Sequence, residues 1–168
     1  GKKISTGDKT LASARAAADT LNTVGFDAMA LEADLSSRES VLSLIAEACK
    51  HGDIHYLVNS AGVSPSQASV ETILKVDLYG TAILLEEVGK VIARGGSGVT
   101  ISSQSGHRMP ALTPEEDRLL AITPTEELLS LKMLQPQNIR DTLHAYQMAK
   151  RCNVKRVMAE AVEGGGRG

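Results

Sequence analysis

The sequence has no tryptophan, one phenylalanine and three tyrosines. No row of aromatic faces is therefore available for stacking bases. Positive charge is not in excess either: 18 Lys and Arg stand against 20 Asp and Glu, a formal net charge of −2. Such a balance sets up no field to hold a polyanion, so nucleic acid is not an expected partner. The two cysteines, Cys49 and Cys152, are far apart and form no C-x-x-C. They suggest neither a zinc site nor a disulfide framework, and are read as reduced thiols of a cytoplasmic protein. No apolar run approaches the roughly 20 residues that span a bilayer, and no signal peptide is recognised. Membrane association is not expected. His51 and His55 in "HGDIH" are four apart, but Gly52 and the strand after it prevent one helical face, so no metal site is assigned. What is present is 168 residues, 42% hydrophobic and 23% charged, the make-up of one globular domain over residues 1–168.

Along the chain, apolar segments alternate between two periods. "GKKISTGD" opens with a short extended segment. "KTLASARAAADTLNTVG" then repeats apolar residues at Leu11, Ala14, Ala18 and Leu21, with Gly25 placed to end a helix. "DAMALEADL" reads as a strand, and Ser36 with Glu39 has the spacing of a capping box. Val41, Leu44, Ile45 and Ala48 form the buried stripe of the helix so opened. "IHYLVNSAG" is a compact strand, followed by a helix from about residue 70 to residue 93, a glycine turn "GGSG", and the strand "VTISS". Strand and helix alternate throughout, which implies an α/β fold: a doubly wound parallel sheet covered on both faces.

The rhythm breaks between residues 107 and 138. "TPEED" and "TPTEE" each pair a Thr N-cap with Pro at the first helical position and acids in the first turn, predicting two short helices. Leu119, Leu120, Ile122, Leu128, Leu129, Leu131 and Leu134 give this insertion apolar faces. The last long helix is read from "NIRDTLHAYQMAK" onward, with "EGGGRG" as a flexible end. Lys150, Arg151, Lys155 and Arg156 on that helix read as a solvated basic face; His107 and His144 flank the insertion and read as exposed polar residues, with contact to substrate as the alternative.

Tyr146 and Lys150 stand one helical turn apart and point to one side. A tyrosine that works as an acid or base near neutral pH needs its pKa of about 10 lowered by about 3 units, roughly 4 kcal/mol. One ammonium about 4 Å away, at an effective dielectric of about 20, contributes that much. The pair alone is equally a half-buried phenol beside a solvated amine. Other residues add to it. "VTISS" ends a parallel strand in hydroxyls, so Ser103 falls where α/β sheets hold their ligands, and "LVNSAG" brings Asn59, Ala61 and Gly62 to the same rim. No G-x-S-x-G surrounds Ser102, Ser103 or Ser105, which argues against a hydrolase nucleophile.

In this order the motifs resemble the short-chain dehydrogenase/reductase family. "NSAG" is similar to that family's N-N/S-A-G, "ISS" to its catalytic serine strand, and "YQMAK" to its Y-x-x-x-K. The resemblance implies a Rossmann-like fold and hydride transfer between a nicotinamide and a secondary alcohol or ketone. It gives Tyr146 the proton, Lys150 the tuning of the phenol and the nicotinamide ribose, and Ser103 the substrate oxygen. It places Asp34 and Leu35 of "ADL" at the adenine, Asn59, Ala61 and Gly62 on the cofactor, and Asp8 on the adenosine ribose. An acid at position 8 favours NAD over NADP, since a 2′-phosphate would be repelled, and Lys9 moderates the preference. Asp77 in "VDLYGT" occupies the place of an asparagine that anchors the proton relay. The long interval before Tyr146, as in some hydroxysteroid dehydrogenase and carbonyl reductase members, implies a substrate lid or an oligomer contact, and the family's habits imply a homodimer or homotetramer.

Against that family pattern, parts are missing. No G-x-x-x-G-x-G follows a strand anywhere, and neither the first strand, expected between those ending near Asp8 and Asn59, nor the final strands are found. The fold is thus expected to be incomplete at both ends, with unpaired interior edges, as for the middle of a longer enzyme. A non-catalytic fragment or pseudoenzyme acting as an interaction module is the alternative reading.

Overall fold

The structure is a computed structural model and describes residues 1–165. Strand β1 (Lys3–Asp8) lies parallel to β2 (Asp27–Glu32), in register from Lys3 opposite Asp27 to Asp8 opposite Glu32. Between them α1 (Leu11–Thr23) is opened by Thr10, whose hydroxyl accepts from the Ser13 amide, and buries Ala14 and Ala18 against the strands. Gly25, at φ 98°, turns the chain out of the helix as expected.

Helix α2 (Arg38–Cys49) is capped by Ser37, which accepts from the Ser40 amide, and not by Ser36. Both the Ser36 amide and its hydroxyl donate to Asp34 Oδ1, at 2.9 and 2.6 Å. A carboxylate two residues back outcompetes the helix for that serine, so the cap moves one position on.

After β3 (Ile54–Asn59), helix α3 (Val70–Ile73) passes through a π-helical segment, Leu74–Gly80, into α4 (Thr81–Val91). The expected long helix is therefore present but widened in its middle. Gly80 ends the wide turn, where a Cβ would stand 2.7 Å from the Leu35 carbonyl oxygen.

Strand β4 (Ile92–Thr100) comes directly after α4 and pairs in parallel with β3. The glycines expected as a turn before the strand lie within it instead. The register jumps from Ile54 opposite Ile92 to Tyr56 opposite Ser97, so residues 93–96 bulge out, with Gly95 at φ 74°.

Among the described residues the strands form two parallel pairs, β1 with β2 and β3 with β4, and β1 is not bonded to β3. The fold is α/β and Rossmann-like but incomplete, as expected. Tyr56, Val58, Val99 and Ile101 on the β3–β4 pair and the segment after it are 51–70% exposed, as apolar side chains in an uncovered sheet must be.

Among the described residues two clusters form the core. In one, Leu35, Val41 and Ile45 meet Ile83, Leu84 and Val88 of α4. In the other, Leu120, Leu128 and Leu134 of the 107–138 segment pack with Ile73, Leu74 and Leu78 against Ala145, Met148, Ala149 and Cys152. Helix α5 (Pro114–Ile122) has the full capping box, Thr113 with Glu116. The second expected helix is instead a 3₁₀ stretch, Thr125–Ser130. Thr123 already ends α5, its amide bonded to the Leu119 carbonyl, and so does not cap a further α-helix. Helix α6 (Thr142–Gly165) begins later than expected because Pro136–Asn138 forms a 3₁₀ turn and Asp141 Oδ1 accepts from the His144 amide at 2.7 Å. Residues 163–165 of "EGGGRG" belong to α6, and the remainder lies outside the described residues. Among the described residues no helix is long and apolar enough to cross a membrane.

Candidate active site

Helix α6 carries Tyr146, Lys150 and Asn153 at i, i+4 and i+7, along one face. Ala145, Met148, Ala149 and Cys152 alongside them are at most 1% exposed and fix the helix in the core. Lys150 is buried, 6% exposed, and its Nζ donates to the Ile101 carbonyl at 3.1 Å while lying 5.5 Å from the Tyr146 ring centroid. Burial pushes the Lys150 ammonium below the usual lysine range, and the Asp77 carboxylate pulls it back up.

The segment after β4 is fastened to this same turn. The Ile101 amide donates to the Asn59 carbonyl at 2.9 Å, and Ser102 Oγ donates to the Lys150 carbonyl at 2.9 Å. Ser103 caps the short 3₁₀ turn Gln104–His107, its Oγ accepting from the Ser105 amide at 3.1 Å. Gly106 in that turn abuts α6 so closely that a Cβ would stand 2.9 Å from the Arg151 amide nitrogen. Ser103 is thus held on the loop that rests against Lys150.

On the other side stands the rim of β3. Asn59 is 3% exposed; its Nδ2 donates to Thr81 Oγ1 at 3.3 Å and its Oδ1 accepts from the Ala61 amide at 3.3 Å. Ala61 and Gly62 are exposed. A Cβ on Gly62 would be 3.3 Å from Asp77 Oδ1 and 3.8 Å from Lys150 Nζ, so backbone, acid and amine meet there. Asp77, 1% exposed, accepts from the Val63 amide through Oδ1 at 2.8 Å, and its Oδ2 has no hydrogen-bond partner among the described residues. Burial raises its carboxyl above the usual range, against the pull of the Val63 amide and the Lys150 ammonium.

Of the remaining expected site residues, Asp8 ends β1, and Asp34 and Leu35 lie in the segment that follows β2. Asp8 is exposed at the end of β1, its Oδ1 3.4 Å from the Thr10 amide. Asp34 is half-buried and held below the usual carboxylate range, chiefly by the Ser36 hydroxyl. The Leu35 side chain lies in the core, 8% exposed. The structure therefore gathers Ser103, Tyr146, Lys150, Asp77, Asn59 and Gly62 around one turn of α6, and leaves Asp8 and Asp34 across the open β1–β3 edge, while Leu35 reaches back to pack on α4.

The basic residues of α6 are not a solvated face. Arg156, 7% exposed, donates to the Ala121 and Thr123 carbonyls at 2.9 and 2.6 Å and to Thr125 Oγ1 at 2.9 Å. Arg151 grips Asp117 at 2.9 and 2.6 Å, and Lys155 joins it at 3.2 Å. These cations fasten the 107–138 segment to α6. His107 Nδ1 lies 3.4 Å from Arg151 Nη1, and the half-buried His144 accepts from the Arg140 amide at 3.1 Å. Asn153 belongs to no motif read from the sequence. Its one signal is a polar residue on a stripe otherwise built of Ala145, Met148, Ala149 and Cys152. A cleft of about 600 Å³ bounded by Val88, Gly95 and Val157 is not lined by any of the candidate catalytic side chains.

Comparison with known proteins gives three results. The family model described as Enoyl-(Acyl carrier protein) reductase matches residues 4–114. A short-chain dehydrogenase/reductase of Alternaria brassicicola is 32% identical over 169 residues, an alignment spanning 100% of this chain and 61% of that protein. Among solved structures, a short-chain dehydrogenase/reductase from Serratia marcescens superposes with a TM-score of 0.71 at 19% identity, and covers 99% of this chain and 60% of its own. A xylitol dehydrogenase solved with NAD+ bound gives 0.73 at 17% identity, with 99% and 56% covered. The chain thus spans about three fifths of the length of these relatives.

Proposed function

The chain belongs to the short-chain dehydrogenase/reductase family of oxidoreductases, and from that premise we propose that it serves an NAD(H)-dependent interconversion of a secondary alcohol and a ketone. The observation that carries the reading is the buried Lys150, its Nζ 5.5 Å from the Tyr146 ring and its main chain bonded to Ser102.

The cofactor, when bound, supplies or accepts the hydride at the carbon. In the reducing direction Tyr146 gives its hydroxyl proton to the carbonyl oxygen, and the Lys150 ammonium stabilises the phenolate that remains. Ser103 orients that oxygen: its Oγ already accepts from the Ser105 amide, which leaves its own proton to donate. Asp77 steadies the Lys150 charge from below Gly62.

The residues fit a nicotinamide dinucleotide in part. Lys150, Tyr146, Asn59, Ala61 and Gly62 would hold its nicotinamide half; Asp8, Asp34 and the Leu35 backbone would hold its adenosine half. Among the described residues no glycine-rich turn offers amides to the pyrophosphate. The acid at Asp8 favours NAD, with NADP disfavoured at the ribose 2′ position. Met109, Leu112 and Met133 beside the core that holds Tyr146 favour an apolar alcohol or ketone, and the 107–138 segment serves as its wall or as a contact in a homodimer or homotetramer. The free thiols of Cys49 and Cys152 suit a cytoplasmic setting.

The lack of a glycine-rich turn among the described residues favours a second reading, a non-catalytic fragment or pseudoenzyme acting as an interaction module. Titration of NADH into the protein, followed by nicotinamide fluorescence, separates the two: saturable enhancement supports the oxidoreductase, and none supports the module. For the first reading, Tyr146→Phe abolishes turnover with cofactor affinity nearly unchanged; full activity in that variant rules the mechanism out.

A further inference from the structure

We propose that Asn153 is a positioning residue for Lys150 that acts through Asp77: its carboxamide holds the π-helical turn open and so keeps the Asp77 carboxyl beside the lysine. The inference deepens the reading of Lys150 as the amine of the site and rests on it.

A π-helical turn carries one residue more than an α-helical turn and persists where something outside the helix holds it. Here three contacts do so. The Asn153 Nδ2 donates to the Asp77 carbonyl at 2.8 Å, from a different helix 76 positions along the chain. Leu35 abuts Gly80 at the end of the segment, where a Cβ would come within 2.7 Å of its carbonyl oxygen. Asn59 bonds Thr81 in the next turn at 3.3 Å. Of these only Asn153 touches the residue that faces Lys150.

A second observation falls on the same two residues. Among the described residues, the buried side-chain polar atoms without a hydrogen-bond partner are Asp77 Oδ2 and Asn153 Oδ1. Both residues are 1% exposed and already joined by one hydrogen bond. Unpaired buried acceptors are rare, and two on residues already bonded to each other set this contact apart. Asn153 lies three residues after Lys150, so one face of α6 presents the amine and the amide that fixes its acid. Asp77 is the charged group whose field reaches Lys150, and the Tyr146 ring, one turn back, is the other titratable group beside it.

The test follows Lys150 itself by carbon-13 NMR of labelled lysine over pH, its signal identified by loss in Lys150→Met. Asp77→Asn removes the acid's support and lowers the Lys150 titration midpoint by up to about one unit, roughly tenfold in dissociation constant. Asn153→Leu lowers it in the same direction, and the double variant shifts no further than Asp77→Asn alone. If Asn153→Leu does not fold, Asn153→Ser, too short to reach the carbonyl and free of overpacking, takes its place. Unfolding midpoints are measured in parallel, so a general loss of stability is distinguished from a local shift. A folded Asn153 variant in which Lys150 titrates as in the parent, or one whose shift adds in full to that of Asp77→Asn, overturns the proposal. Because neither cofactor nor substrate enters the titration, its failure leaves the oxidoreductase reading standing, and absence of hydride transfer leaves the coupling standing.

Discussion

Gly106 sets the distance between the Ser103 loop and the helix that carries Tyr146 and Lys150. A Cβ at this position would stand 2.9 Å from the Arg151 amide nitrogen and 3.1 Å from the Lys150 carbonyl carbon, where ordinary contact begins near 3.4 Å. Both are backbone atoms of a buried helix and do not yield as a side-chain tip would, so in Gly106→Ala the loop itself must retreat by about 0.5 Å. Overpacking of this kind costs about 1–3 kcal/mol. For a domain of this length that lowers the thermal midpoint by roughly 2–10 °C. The retreat reaches Ser103 directly, because the Gly106 amide donates to the Ser103 carbonyl at 3.1 Å. With misplacement of about 1 Å costing on the order of a hundredfold in rate, a shift of half that size costs about tenfold. The control is Gly98→Ala, whose Cβ would meet Leu57 no closer than 3.6 Å and which gains stability by about 0.4–1 kcal/mol. Thermal unfolding of the two variants beside the parent is the assay. A Gly106→Ala protein as stable as the parent, with undiminished turnover, refutes the argument from contact distance.

Two further perturbations address the surroundings of the site. Arg156→Met strips the Ala121 and Thr123 carbonyls and the Thr125 hydroxyl of their buried donor; stability in urea falls by about 3 kcal/mol, with faster amide exchange across Thr125–Ser130, and an unchanged midpoint contradicts the assignment of Arg156 as the fastening of that segment. Burial raises the Asp77 carboxyl in the folded chain, so the folded state binds that proton more tightly than the unfolded state, whose value is about 3.9. The resulting stabilisation is complete below about pH 3.9 and is lost as pH rises through the folded value. Relative to Asp77→Asn, the parent therefore gains stability on acidification toward pH 4; a difference that stays flat with pH shows that Asp77 is not desolvated.

Local rules suffice for a reading from sequence wherever one residue's chemistry decides the outcome. Thr113 with Pro114 and Glu116 is a capping box in fact as in pattern, and Gly25 turns the chain with a positive φ. The spacing from Tyr146 to Lys150 does put both on one face of α6, with Lys150 buried. Pattern and structure part where a second group competes for the same atoms. Asp34 takes Ser36 away from the helix, and the end of α5 takes Thr123. The basic residues of α6 look like a solvated face until their partners are brought in from 30 or more positions away: Arg156 meets Ala121, Thr123 and Thr125, and Arg151 meets Asp117. No propensity marks the π-helical segment. The contacts that meet it come from distant residues: the Asn153 amide on the Asp77 carbonyl, Leu35 against Gly80 and Asn59 on Thr81.

The edges of the sheet obey the same logic. Alternation of strand and helix shows that the strands are parallel, but not which edges are paired. Here β1 and β3 each keep one open edge among the described residues, and the carboxyl rim that should hold one ligand is divided between two pairs of strands. The half carrying Asn59, Asp77, Ser103, Tyr146 and Lys150 is assembled around α6, while Asp8 and Asp34 stand on the other.

Transfer of deuterium from NADH carrying deuterium at both C4 positions of the nicotinamide into a ketone, read by mass spectrometry of the alcohol formed, bears most directly on the chemistry assigned to α6. The account predicts a product one deuterium heavier with the parent chain, and none above background with Tyr146→Phe under the same conditions. Equal labelling by the two proteins would contradict it.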